Sequence, residues 1–373
     1  MFMLTEKLSL TQIFTMVINF LLGSSIVVGI GMEAKRDAWL AILIGMVLGL
    51  LIMSFYLYLM SLLPGKNLYE IFEYCFSRKI AMLFALVYSI YFLYISCRVI
   101  RDFGELISNA ILPVTPIEFT ILALMIVIGY ILYLGIEVLG RTSEIFTPYT
   151  FVFILLLFIF LYSGERIDLS NIQPIAVEKR QIMEAIIPSI LAFPYGELVA
   201  FTVILANISD FKTGRRIILV SVLIASIILM LSVLLITASL GENTASRTTF
   251  PLLSAARLVS LGEIIERIDA LVVFIMMLGI LIKSSVFLYG CLKGIEYIFK
   301  IPFRYFAMPF ACLTTLFSVF ISVDFSDHLI EGLNVDLYLL HIPLDFGVPI
   351  FTTFFLLVKK WSKDRKDIRR VNV

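Results

Sequence analysis

Apolar residues in this chain fill long uninterrupted runs and do not recur on one helical face. Such runs cover Leu8–Met32, Ala38–Gly65, Ile80–Cys97, Phe119–Ile136, Ile145–Gly164, Ile217–Gly241 and Tyr305–Val323, with short polar segments between them. A helix that is hydrophobic all round is surrounded by apolar material, and about 20 such residues cross the roughly 30 Å of a bilayer core. Three further runs reach that length only with a charge inside: Ala185–Ser209 with Glu197, Ala270–Leu292 with Lys283, and Leu337–Val358 with Asp345. The pattern therefore predicts ten transmembrane helices. The first run is longer than a signal-peptide core and ends without a small-residue cleavage pattern, so it counts as a span.

Composition agrees. The chain is 61% hydrophobic and 15% charged, with a mean hydropathy of +1.03, outside the range of soluble domains. A net charge of +1 gives no basic surface for nucleic acid, and the four cysteines lack metal-like or disulfide-like spacing, which leaves them as packing residues. Most of the 29 Lys and Arg fall in alternate loops and in the tail from Lys359 to Arg370. Positive loops stay cytoplasmic, so both termini are expected on that side. The tail reads as an orientation signal and also as a contact for anionic lipid.

Nothing resembling a linker divides the chain, and a single membrane domain is expected over 1–358, followed by a basic tail, 359–373. Ten spans split into two halves of five, about 8–164 and 185–358, and an odd number per half forces the second to be inverted. Transporters built this way place their site at the midplane, on discontinuous helices in corresponding positions of the two halves. Both first helices carry such a signal. Gly23, Ser24 and Ser25 interrupt the first span; Phe193, Pro194, Tyr195, Gly196 and Glu197 interrupt the sixth. Proline removes one helical hydrogen bond and clashes with the preceding turn. The freed backbone groups cannot face lipid and must line protein or a cavity, which makes the breaks the candidate binding site, with simple kinks as the alternative reading.

Charges inside the membrane are costly and tend to face the bundle interior. Three roles stay open for Lys283: an ion pair with Glu197, a tethered substitute for a bound cation near the first-span break, or a contact for a ligand carboxylate. Arg98, Arg101, Asp102 and Glu105 make Arg98–Asp102 and Arg101–Glu105 pairs at i,i+4 spacing on the third span; they either snorkel to the interface or form an outer gate. His341 and Asp345 read as a satisfied polar pair near an outer entrance, and His328 as an uninformative loop residue. Tyr91 and Ile95, one turn apart, are placed on the cavity face, opposite Lys283 and Phe287. The outer segment Pro251–Asp269 has the spacing of a helix that caps the vestibule, and Gly65–Lys79 that of an interfacial helix.

These residues resemble the B-subunit permeases of spore germinant receptors, within the amino acid–polyamine–organocation superfamily. The pieces are LSLTQIFTMVINFLLGSSIVVGIG at the first span, RDFGELISNAILPVTPIEF at the end of the third, GRTSEIFTPYTF before the fifth, NIQPI before the sixth, FPYGE within it, and ERIDALVVF at the eighth. The resemblance implies a LeuT-like 5+5 inverted-repeat fold with broken first and sixth helices. It implies a sensor in the spore inner membrane, assembled with an A subunit and a lipoprotein C subunit, that binds a small germinant and needs no cofactor. Its ligand pocket maps onto Gly23, Tyr91, Ile95, Pro194, Tyr195, Lys283 and Phe287. Lys283 and the proline of FPYG depart from the pattern of alanine-sensing members, which implies a different ligand. An ion-coupled amino acid transporter is the competing reading; an enzyme is disfavoured, since no nucleophile elbow, phosphate loop or His/Asp/Glu cluster stands at a membrane face.

Overall fold

The computed structural model describes residues 7–164, 167–176, 178–258, 268–322 and 324–371. Among the described residues, nine helical segments are long and apolar enough to cross a membrane: Leu10–Val28, Met32–Leu62, Arg78–Ala110, Ile117–Leu134, Ile136–Ser163, Lys179–Asn207, Phe211–Leu240, Asp269–Phe299 and Val335–Ser362. A shorter apolar helix, Arg304–Phe320, takes the ninth position and completes the ten. The chain is an all-α integral membrane protein. With ten spans both termini lie on one face, called here the terminal face; the other is the distal face.

The two halves are recognisable by how their corresponding members meet. The second span packs on the seventh, the third on the eighth and the fourth on the ninth. The start of the first span pairs with the end of the sixth: Leu8 N–H donates to Asn207 O at 2.8 Å and Ser209 N–H to Leu8 O at 3.2 Å. Leu8 is fully buried there, so the first and sixth spans are joined at the terminal face. The first and eighth spans are each 83% buried and the sixth 78%, against 28% for the fifth, which places the three together at the centre.

Polar side chains fix the central helices. Asn19 of the first span is fully buried; its Nδ2 donates to Ser143 Oγ at 3.0 Å and Thr147 Oγ1 at 2.8 Å, while Thr150 Oγ1 donates to its Oδ1 at 3.3 Å. The spacing of Ser143, Thr147 and Thr150 lines up one face of the fifth span, so a segment that reads as a polar approach to that helix is a seam against the first. The helix indeed begins at Ile136, nine residues earlier than hydropathy places it, because Gly135 turns the chain between the fourth and fifth spans at φ 117. That backbone region is natural only to glycine.

On the terminal face, the predicted interfacial helix is present as Leu68–Cys75, with Asn67 and Glu70 forming a reciprocal cap. Lys360 Nζ donates to Leu62 O at 2.6 Å and Lys359 Nζ to Tyr74 O at 2.5 Å. Both amines thus meet carbonyls at helix C-termini, where positive charge is favoured. On the distal face, the Pro251–Arg257 portion of the expected cap is helical; residues 259–267 of that segment lie outside the described residues.

The distal loops are clamped by Arg36, whose Nε and Nη2 donate to the two carboxylate oxygens of Glu242 at 2.7 and 2.8 Å. The guanidinium holds the Glu242 carboxyl below its ordinary range. A lowered native pKa contributes stability that is present above the unfolded value, about 4.3, and lost as pH falls through the native one. The melting-temperature gap between the unmodified protein and Glu242→Gln is accordingly expected to be open at pH 6 and to close below about pH 4. A gap independent of pH would contradict the clamp.

Candidate functional site

Both predicted breaks are present. The first span is helical over Leu10–Leu22 and again over Ser25–Val28, with Gly23 at φ 7, ψ −121 between them. The site is also tight: a Cβ at Gly23 would sit 2.9 Å from Lys283 Cδ and 3.0 Å from Phe20 O. The sixth span loses helical geometry at Phe193, φ −118 and ψ 117, immediately before Pro194. A proline ring clashes with a helical preceding residue and pushes it extended; Ile187 before Pro188 behaves the same way.

Between the breaks lies an ion pair. Lys283 Nζ is 2.7 Å from Glu197 Oε2, with both side chains buried. The lysine stem runs over Gly23, and its ammonium stands 4.2 Å from the centre of the Phe193 ring and 5.4 Å from that of Phe20. Of the three roles open in the sequence, the pair with Glu197 is the one the geometry displays. Nearby in sequence, the hydroxyls of Ser24, Ser25 and Ser285 are buried without partners.

A cavity of about 380 Å³ rises from Glu197 towards the distal face. Apolar walls come from Ile95, Val99, Ile190, Phe193 and Leu337, and the turn Val28–Met32, with Gly29 and Gly31 at positive φ, completes the lining. Three predicted site residues line it: Ile95, Phe193 and Glu197. Gly23 and Lys283 stand behind Glu197. Tyr195 is directed elsewhere, donating to Ser226 Oγ at 2.7 Å and packing its ring on Gly49. Phe287 is fully buried against Phe20, with ring centres 5.1 Å apart.

Tyr91 is held by the tenth span. Its hydroxyl donates to Asp345 Oδ1 at 2.8 Å and lies 2.9 Å from His341 Nδ1, which in turn is 2.9 Å from Asp345 Oδ2. His341 and Asp345 do pair, but deeper than an entrance. Asp345 abuts the sixth-span break, where a Cβ at Gly196 would fall 2.7 Å from its Oδ2. Tyr56 of the second span joins them, donating to Asp345 O at 2.7 Å and approaching Gly196 O at 3.1 Å.

At the mouth, the expected Arg101–Glu105 pair forms at 2.8 Å, but Arg98 and Asp102 do not pair with each other. Arg98 reaches across to Asp336 at 3.1 Å and Glu331 at 3.4 Å, and Asp102 to His328 at 2.9 Å. The facing segment supplies these partners, and Arg98, Asp336 and His328 are buried where the two segments meet. His328, uninformative in the sequence, is thereby a buried member of a lock joining the third span to the tenth. Arg98→Ala is expected to let a cysteine at Ile95 react faster with a membrane-impermeant maleimide. An unchanged rate would remove the lock from this account.

Comparison with known proteins places this arrangement. Residues 7–327 match the family described as spore germination protein, the spore permeases. Spore germination protein KB of Bacillus subtilis (strain 168) is 30% identical over 97% of this chain and 96% of its own length. Among solved structures, a Na+-coupled sialic acid symporter in a substrate-bound outward-open state superposes with a TM-score of 0.68, at 13% identity, over 92% of this chain and 78% of its own. A nucleobase-cation-symport-1 transporter with bromovinylhydantoin bound gives a TM-score of 0.66 at 12% identity, over 91% of this chain and 78% of that one. The helix order, the two breaks and these neighbours together give the LeuT-like 5+5 inverted-repeat fold, and by its sequence the chain belongs to the spore germination permease family.

Proposed function

We propose that this protein is the nutrient-sensing membrane subunit of a spore germinant receptor, and that its ligand is a small molecule held in the cavity between the two helix breaks. The observation that supports this most is the cavity itself: mostly apolar, about 380 Å³, and reaching a carboxylate, Glu197, that sits at the sixth-span break with its own lysine behind it. Pockets of this size and lining suit small organic ligands. Binding there contacts the sixth-span break directly, at Phe193 and Glu197, and reaches the first-span break through the Lys283 that stands between Glu197 and Gly23. A ligand whose affinity differs between two arrangements of the breaks shifts their populations, which is all that a signal requires.

In this reading the protein sits in the spore inner membrane with both termini towards the core, and works with A and C partner subunits. Membership of a germination family supports the sensor role over transport. The symporter neighbours support a second reading, ion-coupled uptake of an amino acid. One experiment separates them. Reconstituted vesicles are offered a panel of labelled amino acids and sugars, with and without proton and sodium gradients. Saturable binding without gradient-driven accumulation is expected; concentrative uptake would make the transporter reading primary.

A further inference from the structure

We infer that the head group read by this cavity is a hydrogen-bond donor, a hydroxyl or an ammonium, recognised jointly by Glu197 and His341, and that a carboxylate head is rejected there. The inference rests on the cavity being the ligand site and adds the chemical class of the ligand.

Two acceptors on facing spans carry the argument. Glu197 lines the cavity from the sixth span. Lys283 engages only its Oε2, at 2.7 Å, and a carboxylate offers about four lone-pair sites. His341 lines the same cavity from the tenth span. Its Nδ1 faces Asp345 Oδ2 at 2.9 Å, while Tyr91 gives its proton to Asp345 Oδ1 at 2.8 Å. An ionised Asp345 only accepts, so the pattern that satisfies these contacts places the ring proton on Nδ1. The hydrogen bond made by one ring nitrogen sets the state of the other. In the neutral imidazole Nε2 is then a bare acceptor, on a residue that lines the cavity. Asp345 is a positioning residue here: fully buried, it acts on the ligand only through the imidazole.

The cations around the cavity do not offset these acceptors. Lys283 is not among the lining residues, and Arg98 is occupied by Asp336 and Glu331. The imidazole of His328 faces Asp102. Lys35 stands at the distal end on an exposed segment. A carboxylate at the deep end would meet a carboxylate and an imidazole lone pair, both already desolvated, whereas a hydroxyl or ammonium would satisfy both.

The same network reaches the break. Tyr56 approaches Gly196 O at 3.1 Å and donates to Asp345 O at 2.7 Å, and Tyr88 donates to Leu344 O at 2.5 Å. A head group bonded to Glu197 and His341 therefore touches the sixth-span break and the tenth-span segment that leans on it.

Three probes with one apolar body and different heads test this: cyclohexylmethylammonium, cyclohexylmethanol and cyclohexanecarboxylate. Each is titrated at pH 7.5 into the full-length protein in nanodiscs, with the shift in melting temperature as the readout, and repeated with Ile95→Trp to fill the cavity and His341→Phe to remove one acceptor. The expected result is a saturable upward shift with the ammonium and the alcohol and none with the carboxylate, abolished by Ile95→Trp. His341→Phe should weaken the alcohol by tenfold or more. The head-group order in the unmodified protein is itself decisive, so the test survives a variant that fails to fold. A carboxylate that binds as well as the others and is displaced by Ile95→Trp would overturn the donor rule while leaving the cavity as the site. Binding of none of the three, or binding indifferent to Ile95→Trp, would overturn the site as well.

Discussion

Lys283→Ala is expected to destabilise the protein by about 3–5 kcal/mol, and the double change Lys283→Met with Glu197→Leu by much less. The asymmetry comes from burial. Both side chains are almost entirely withdrawn from solvent, and their charged atoms are 2.7 Å apart. Removing the lysine strands a carboxylate in an apolar interior, where an unpaired charge is far costlier than a hydrocarbon of the same volume. The single change also removes the stem that fills the space over Gly23 and the cation that faces Phe193. Equilibrium unfolding in mixed micelles measures both variants. If the single change were the milder of the two, the pair would not be what holds the first, sixth and eighth spans together.

A comparable loss is expected from Gly279→Val. A Cβ at Gly279 would lie 2.7 Å from Gly23 Cα and 3.0 Å from Gly23 N, so a methyl group meets backbone with no rotamer to turn away. Overpacking typically costs about 1–3 kcal/mol, and a contact against main chain belongs at the upper end. Lys283 is one helical turn further along, so separating the first and eighth spans at this point also draws the ammonium off Glu197. Ligand binding should be lost along with stability. Gly214→Ala, on the seventh span, is the control: its Cβ would come no closer than 3.3 Å, to the side chain of Ile208. Equal losses from the two substitutions would show that close approach of the first and eighth backbones is not special.

The sequence exposes what depends on local chemistry. Long apolar runs give the spans, and Pro194 forces Phe193 out of the helix whatever surrounds it, so the sixth-span break is legible from two adjacent residues. Glu197 and Lys283 stand out because charge in an apolar run must be paired. Contacts set by helix crossings are not legible in this way. Gly279 looks like any glycine of a membrane helix until the first-span break is laid on it. Arg98 has a suitable partner four residues away at Asp102, yet both find partners on the tenth-span side. The Asn19 seam hides for the same reason: Ser143, Thr147 and Thr150 share a face only when the fifth span is known to start at Ile136. His341 and Asp345 can be paired from their spacing; their depth, and the part played by Tyr91 and Tyr56, needed the packing of four spans.

The central claim is that a small nutrient is sensed in the cavity between the two breaks. It is tested most directly by measuring binding of whichever labelled amino acid or sugar saturates the unmodified protein, in the same membranes, to Ile95→Trp and to Leu83→Trp. Ile95 lines the cavity and is buried, whereas Leu83, on the same helix, is 60% exposed on its outer surface. Loss of binding with Ile95→Trp and full retention with Leu83→Trp is the predicted result. Undiminished binding to Ile95→Trp would place the ligand elsewhere and contradict the account.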